Sequence, residues 1–282
     1  MSGAIRILHM HPDLEIGGGQ QLNLRLILAM NSKGNQGCLA SAEHIVCGTM
    51  AGGPFEDKFR AARIETAVLN AKGLSGVVRG TVRLSRFCSQ RGIDLIHTNN
   101  TRSDLLCGQL AAMMCGLPVL NTLHSEPRGV LADPSQGRQK FLPHLKQVFR
   151  NRLMTHTTRQ FIAVSERMRI AWTPYLRSLG QGDDQITVIT PGLDASEFRS
   201  EPKQVRAVRA EIVGDNTWPV LMNVTRLVNG KGLEHLPALI KAVVARYPGA
   251  KLVVVGRQAA LVDRSGHAGA RTCRLRNRLG PA

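Results

Sequence analysis

From Ile5 to Ile189, short runs rich in β-branched and apolar side chains alternate with segments whose apolar residues recur at helical spacing. Ile5–His9, Thr66–Leu69, Ile93–His97, Leu117–Leu123, Phe161–Val164 and Ile186–Ile189 are the strand-like runs. Between them, Leu22, Leu26 and Met30 fall on one helical face, as do Leu74, Val77, Leu84 and Phe87, and later Leu105, Leu106, Leu110 and Met113. Pro54 suits the first turn of a further helix reaching about Arg63, with Phe55 and Phe59 one turn apart. Cys38 to Ser41 is expected as a strand, and Ala42 to Gly53 as a loop carrying the apolar piece Ile45-Val46-Cys47. Strands that alternate with helices pair in parallel, because a parallel partner needs a long crossover. The pattern therefore predicts a doubly wound α/β domain.

Ligands of such sheets gather outside the carboxyl ends of the strands. Three loops qualify. Gly17-Gly18-Gly19 follows the first strand and opens a helix, where small residues let a ligand approach the backbone. His97 to Asn100 ends a second strand, and His124-Ser125-Glu126 ends a third. These three are expected to share one crevice. The glycine turn is not a G-x-G-x-x-G pattern, so no dinucleotide site is indicated.

A fourth loop lies further on. Pro219–Met222 is an apolar run, and Asn223-Val-Thr-Arg226-Leu-Val-Asn-Gly230-Lys231-Gly232 follows it. Arg226 and Lys231 ahead of a helix start near Lys231 are either two solvated surface cations or a clamp for a diphosphate. In the second case Arg226 forks onto two oxygens and Lys231 acts as a point charge. Lys251–Gly256 is another strand with a terminal glycine.

The order of these elements is similar to that of retaining glycosyltransferases of the GT-B type, family 4. Gly17-Gly18, His124, Val164-Ser165, Gly192-Leu193-Asp194, Arg226, Lys231 and Gly256 carry the resemblance, over roughly Ala4 to Gly256. Thr225 stands where the family has glycine, and Thr190-Pro191 replaces its usual Pro-Asn. The resemblance implies an α/β, GT-B-like fold of two Rossmann-like doubly wound domains, the second incomplete. It also implies a hexosyl-type transferase that moves a sugar from a nucleotide-sugar to a glycan or lipid-linked acceptor with retention, in cell-envelope polysaccharide synthesis. No cofactor or metal is expected. His124, Arg226 and Lys231 are the implied catalytic residues, with His124 hydrogen bonding to the sugar. Gly17, Gly18, Gly19, Asn99, Glu126, Ser165, Gly192 and Gly256 are the implied substrate contacts.

The expected domains are residues 1–195, on the acceptor side, and residues 196–256, which begin a nucleotide-sugar-binding domain. Residues 257–282 read as an aberrant basic tail: Arg257, Arg264, Arg271, Arg274, Arg276 and Arg278 face one acid, Asp263, and no Glu follows Glu234. The family's paired glutamates are absent there. This leaves a rival expectation, a truncated and non-catalytic remnant of such an enzyme.

Composition narrows the remaining classes. The chain has 282 residues and 43% hydrophobic content, enough for two globular domains, but only 4% aromatics, so cores must come from aliphatic side chains. A net charge of +17 suits a polyanionic partner, or simply an arginine-rich proteome. No nucleic-acid-reading motif is present, so no nucleic acid is expected. Pro134 to Ser165 contains no acid and interleaves Arg138, Lys146 and Arg150 with Phe141, Leu145 and Phe149. That is either a basic helix for peripheral anionic-membrane contact or, the plainer reading, a helix packed on the sheet. None of the six cysteines forms a C-x-x-C pair, and no signal-peptide pattern is present, so the expected location is cytoplasmic, peripheral at the inner face of the membrane.

Overall fold

The computed structural model describes residues 4–32, 42–99, 102–127, 149, 152–214, 217–225, 227–228 and 231–256. It divides into two compact units, Met1–Leu193 and Asp194–Ala282. The expected strand at Cys38 to Ser41, Arg226, and the tail 257–282 lie outside the described residues.

The first unit is a seven-stranded, wholly parallel sheet. Its strands are β1 Ile5–His11, β2 Ala42–Gly48, β3 Glu65–Val68, β4 Leu95–Thr98, β5 Val119–Leu123, β6 Thr158–Ala163 and β7 Ile186–Val188. The sheet order is β3-β2-β1-β4-β5-β6-β7. The helices are α1 Gly18–Asn31, α2 Phe55–Ala61, α3 Gly73–Arg91, α4 Arg102–Cys115 and α5 Glu166–Ser178. This is the doubly wound architecture that the alternating pattern predicts.

Both faces of the central strands are covered, as a parallel sheet requires. Leu8, Met10, Ile45 and Cys47 cluster with Leu84, Cys88, Cys107 and Ala111 of α3 and α4. Val46 packs on the opposite side with Leu24 and Ile27 of α1 and Phe55 and Phe59 of α2. Two glycines within α3, costly there by propensity alone, have a packing reason. A Cβ on Gly76 would lie 2.9 Å from the Ala71 carbonyl carbon, and one on Gly80 would lie 2.7 Å from the Ala71 Cβ. Cys47, Cys88 and Cys107 are buried and outside any disulfide, and burial pushes Cys88 up to about 12.

Two expectations are corrected. Ala42 to Gly48 is not a loop: it is β2, paired along its length with β1 from Ile5↔Ala42 to His11↔Gly48. And the helix after Lys231 begins later than expected. Gly232 turns left-handed (φ 70°), Leu233–His235 forms one 3-10 turn, and the α-helix runs from Leu236 to Arg246. Pro237 sits in its first turn, where its missing N–H costs no intrahelical bond. Of the basic stretch, residues 152–157 are helical, with Leu153 and Met154 buried and Met154 in the core beneath α5. That part follows the plainer reading.

The second unit places a helix at Pro202–Ile212 and a parallel strand pair, β8 Val220–Val224 and β9 Lys251–Val255.

Asn121 makes a local test of the core. It is fully buried on β5, on the same side as Val119 and Leu123, and neither side-chain atom finds a hydrogen-bond partner among the described residues. An unpaired buried amide costs about 1–3 kcal/mol. Replacing it with the similarly sized Leu is expected to raise stability by about 1–2 kcal/mol, read as a higher denaturation midpoint. A lower midpoint would mean that the amide has a partner in solution.

Candidate functional site

Chain order reverses between β1 and β4, which are neighbours in the sheet although β2 and β3 come between them in sequence. The carboxyl ends of those two strands therefore frame the crevice where open α/β sheets take ligands. The loop leaving β1 is held by its neighbours. The Thr49 N–H and hydroxyl both donate to the His11 carbonyl at 2.8 Å, Met50 N donates to Pro12 O at 2.7 Å, and Phe55 N donates to Leu14 O at 2.9 Å. The loop delivers Gly17 as the N-cap of α1 in extended conformation, with no side chain capping the helix and no acid in its first turn. A Cβ on Gly18 or Gly19 would meet nothing within 4 Å, so at these two positions the backbone is open to an approaching group.

Two of the strand-end loops meet as expected. Asn99, just past β4, donates from Nδ2 to the Met10 carbonyl at 2.8 Å, and its Oδ1 lies 3.0 Å from His124 Nε2. The β5 loop that carries His124 is tied to α5 in two places. Trp172 Nε1 donates to Ser125 O at 2.8 Å, and the Arg167 guanidinium grips Glu126 at 2.7 Å.

Next to these strand ends lies a group that the sequence did not reveal. Imidazoles of β2, β1 and β4 form a row across the sheet on the α1 face. His9 Nε2 lies 2.9 Å from His44 Nδ1, and His9 Nδ1 lies 2.9 Å from His97 Nδ1 and 3.0 Å from Asn23 Nδ2 of α1. His97 Nε2 continues the row to the Thr122 hydroxyl at 2.7 Å. One set of proton positions keeps the row connected. His97 Nδ1–H donates to His9 Nδ1, which also lies beside the Asn23 amide, His9 Nε2–H donates to His44 Nδ1, and Thr122 donates to His97 Nε2. Every ring is then neutral. Burial, reinforced by the neighbouring imidazoles, lowers His97 to about 4 and puts His9 well below its ordinary value. His11, nearly fully buried with its Nε2 unpartnered among the described residues, is lowered by burial and by His97 and His124 to about 3. The sequence signal for the row was weak: only the recurrence of histidine near strand ends hinted at it, and the pairings span 35 to 88 residues.

Some of the other expected site residues have structural partners of their own. Ser165 caps α5, accepting from Met168 N at 3.3 Å, and Glu126 is held by Arg167. Gly192 is exposed with open space around it. A Cβ on Gly256 would collide with the Thr225 carbonyl oxygen, so this glycine lets β9 end against the loop that leaves β8. Lys231 is exposed, and no ion pair engages it among the described residues. No group of three or more His, Cys, Asp or Glu side chains is arranged to hold a metal among the described residues, despite the clustered imidazoles. No helix there is long and apolar enough to cross a membrane.

Residues 16–197 match the model of Glycosyltransferase Family 4. The chain belongs to that family. Among solved structures, this family 4 chain is similar to HepE of Anabaena in complex with UDP-glucose, at 18% identity and a TM-score of 0.68, covering 93% of this chain and 63% of HepE. It is similar to a glycosyltransferase from Rickettsia africae at 14% identity and a TM-score of 0.60, covering 90% and 69% of the two chains. A UDP-GlcNAc 2-epimerase from Neisseria meningitidis bound to UDP-GlcNAc follows at 15% identity and a TM-score of 0.54, covering 89% and 65%. The GT-B fold is thus shared by transferases and epimerases, and the family match is what separates them here. The chain spans under two thirds of the length of HepE. Comparison with the curated proteins gives no match.

Proposed function

We propose that this chain takes part in transferring a sugar, of hexosyl type, from a nucleotide-sugar donor to a glycan or lipid-linked acceptor. Transfer proceeds with retention of anomeric configuration, in cell-envelope polysaccharide synthesis, at the cytoplasmic face of the membrane. The observation that carries the reading is the meeting of His124 and Asn99 at the strand ends of the switch point, in a chain whose residues 16–197 match family 4. Residues 1–195 serve the acceptor side, and residues 196–256 begin the donor-binding domain.

Each part has a separate task. The open backbone at Gly18 and Gly19, with the amide groups that begin α1, suits phosphate or hydroxyl oxygens. Arg226 and Lys231 offset charge that grows on the departing diphosphate. His124 holds a hydroxyl of the transferred sugar. Burial lowers its pKa, so the ring is neutral near pH 7 and works by hydrogen bonding, not as a cation. Basic residues of the stretch before residue 152, such as Arg138 and Lys146, give peripheral anionic-membrane contact.

The test is a panel of sugar nucleotides read by released nucleoside diphosphate, with the natural full-length protein. At least one donor is expected to turn over, and His124→Ala is expected to cut kcat about 100-fold, the order of one preorganised hydrogen-bonding group. No binding or release with any donor overturns the reading. An unchanged rate in His124→Ala reduces that residue to a structural role.

A further inference from the structure

We infer that Asn99 is a positioning residue, one that clamps His124 in a single proton arrangement and leaves its Nδ1 as the atom offered to a ligand. Asn99 lies 2.8 Å through its Nδ2 from the Met10 carbonyl oxygen, which can only accept. The nitrogen of the amide must therefore point at Met10, and its oxygen at His124. An amide oxygen can only accept as well, so the imidazole nitrogen 3.0 Å away, Nε2, has to carry the proton. In a neutral ring the other nitrogen, Nδ1, is then a lone pair.

The clamp spans three strand ends. Met10 lies near the end of β1, Asn99 follows β4, and His124 follows β5. Asn99 is 6% exposed, so it acts from beneath the pocket and not from its surface. The same geometry also narrows the ligand, and this step rests on the function proposed above. A lone pair accepts from a hydroxyl and repels a carboxylate or phosphate oxygen. The group that meets His124 is thus a neutral sugar hydroxyl, and a sugar bearing a carboxylate at that position is excluded.

The experiment is proton and nitrogen NMR of histidine-labelled protein at pH 7.5. The expected result is a slowly exchanging Hε2 proton on His124 in the wild type. It disappears in Asn99→Leu, which has no acceptor, and persists in Asn99→Asp, which keeps one. A slow proton on Nδ1 in the wild type overturns the clamp, and so does an Hε2 signal that survives in Asn99→Leu. The wild-type spectrum decides even where a variant fails to fold. Kinetics give a second readout: Asn99→Leu is expected to lower kcat for the sugar donor about tenfold while the Kd for UDP alone, which lacks the transferred sugar, stays within twofold. A weakened UDP affinity would overturn positioning through His124. Failure of every sugar nucleotide to bind would sink the proposed function and leave the Hε2 result standing, so the two can be told apart.

Discussion

Acidification from pH 7.5 to pH 5 is expected to remove about 4 kcal/mol of folding stability from the first unit, through two histidines that cannot take up a proton where they are buried. In the folded chain burial lowers His97 to about 4 and His11 to about 3, while the unfolded side chains keep their ordinary value of 6.5. Between those values the unfolded state binds protons and the folded state does not. Stability is therefore complete above pH 6.5 and falls as the pH drops toward 4. At pH 5 each of the two contributes a loss of about 2 kcal/mol. His9 and His44 shift in the same direction and deepen the loss. Urea denaturation at pH 7.5, 6 and 5 measures the effect. A flat profile across that range would mean that the imidazoles are solvated. His11→Asn should recover about 2 kcal/mol of the acid sensitivity.

The largest effect on ligand binding is expected from Lys231→Ala. The side chain is exposed on the loop between β8 and the helix Leu236–Arg246, and no described ion pair holds it, so its removal leaves no buried charge behind. Folding should be unaffected within about 0.5 kcal/mol, as for most surface substitutions. A charge-assisted contact with a diphosphate is worth about 1.5–3 kcal/mol, so UDP affinity should fall between about 10- and 150-fold. Turnover should fall further, since the charge on the diphosphate is greatest as the sugar leaves. Calorimetric titration of UDP into both proteins is the direct measurement. Equal affinities, with equal turnover, would remove this loop from the chemistry.

What could be read from the sequence follows physical range. Strands rich in apolar residues, such as Leu117–Leu123, and the cap at Ser165 are local features, and both stand in the structure. The meeting of the His97–Asn100 and His124–Glu126 loops was legible because parallel topology alone places strand ends together. β2 was not legible. Its run Ala42-Glu-His-Ile-Val-Cys-Gly48 holds only two β-branched residues, and its histidine is tolerated in the sheet because His9 of β1 supplies a partner. Its strand character is tertiary, given by neighbours on both edges. The imidazole row was hidden for the same reason: no residue in it is informative without the other strands. Gly256 also has a backbone role that was not legible, since a Cβ there would meet the Thr225 carbonyl oxygen.

The place of β1 at the centre of the sheet also sets a timetable. One edge of β1 is completed by β2, but the other waits for β4 and is filled only once Leu95–Thr98 has been made. At a synthesis rate of about 5–20 residues per second, the interval is on the order of ten seconds. Throughout it the emerging chain offers an open row of backbone donors and acceptors beside Leu8 and Met10, the sort of edge that recruits a second chain. The central strand is thus made well before its second partner, so the nascent protein needs shielding most in the interval between β1 and β4.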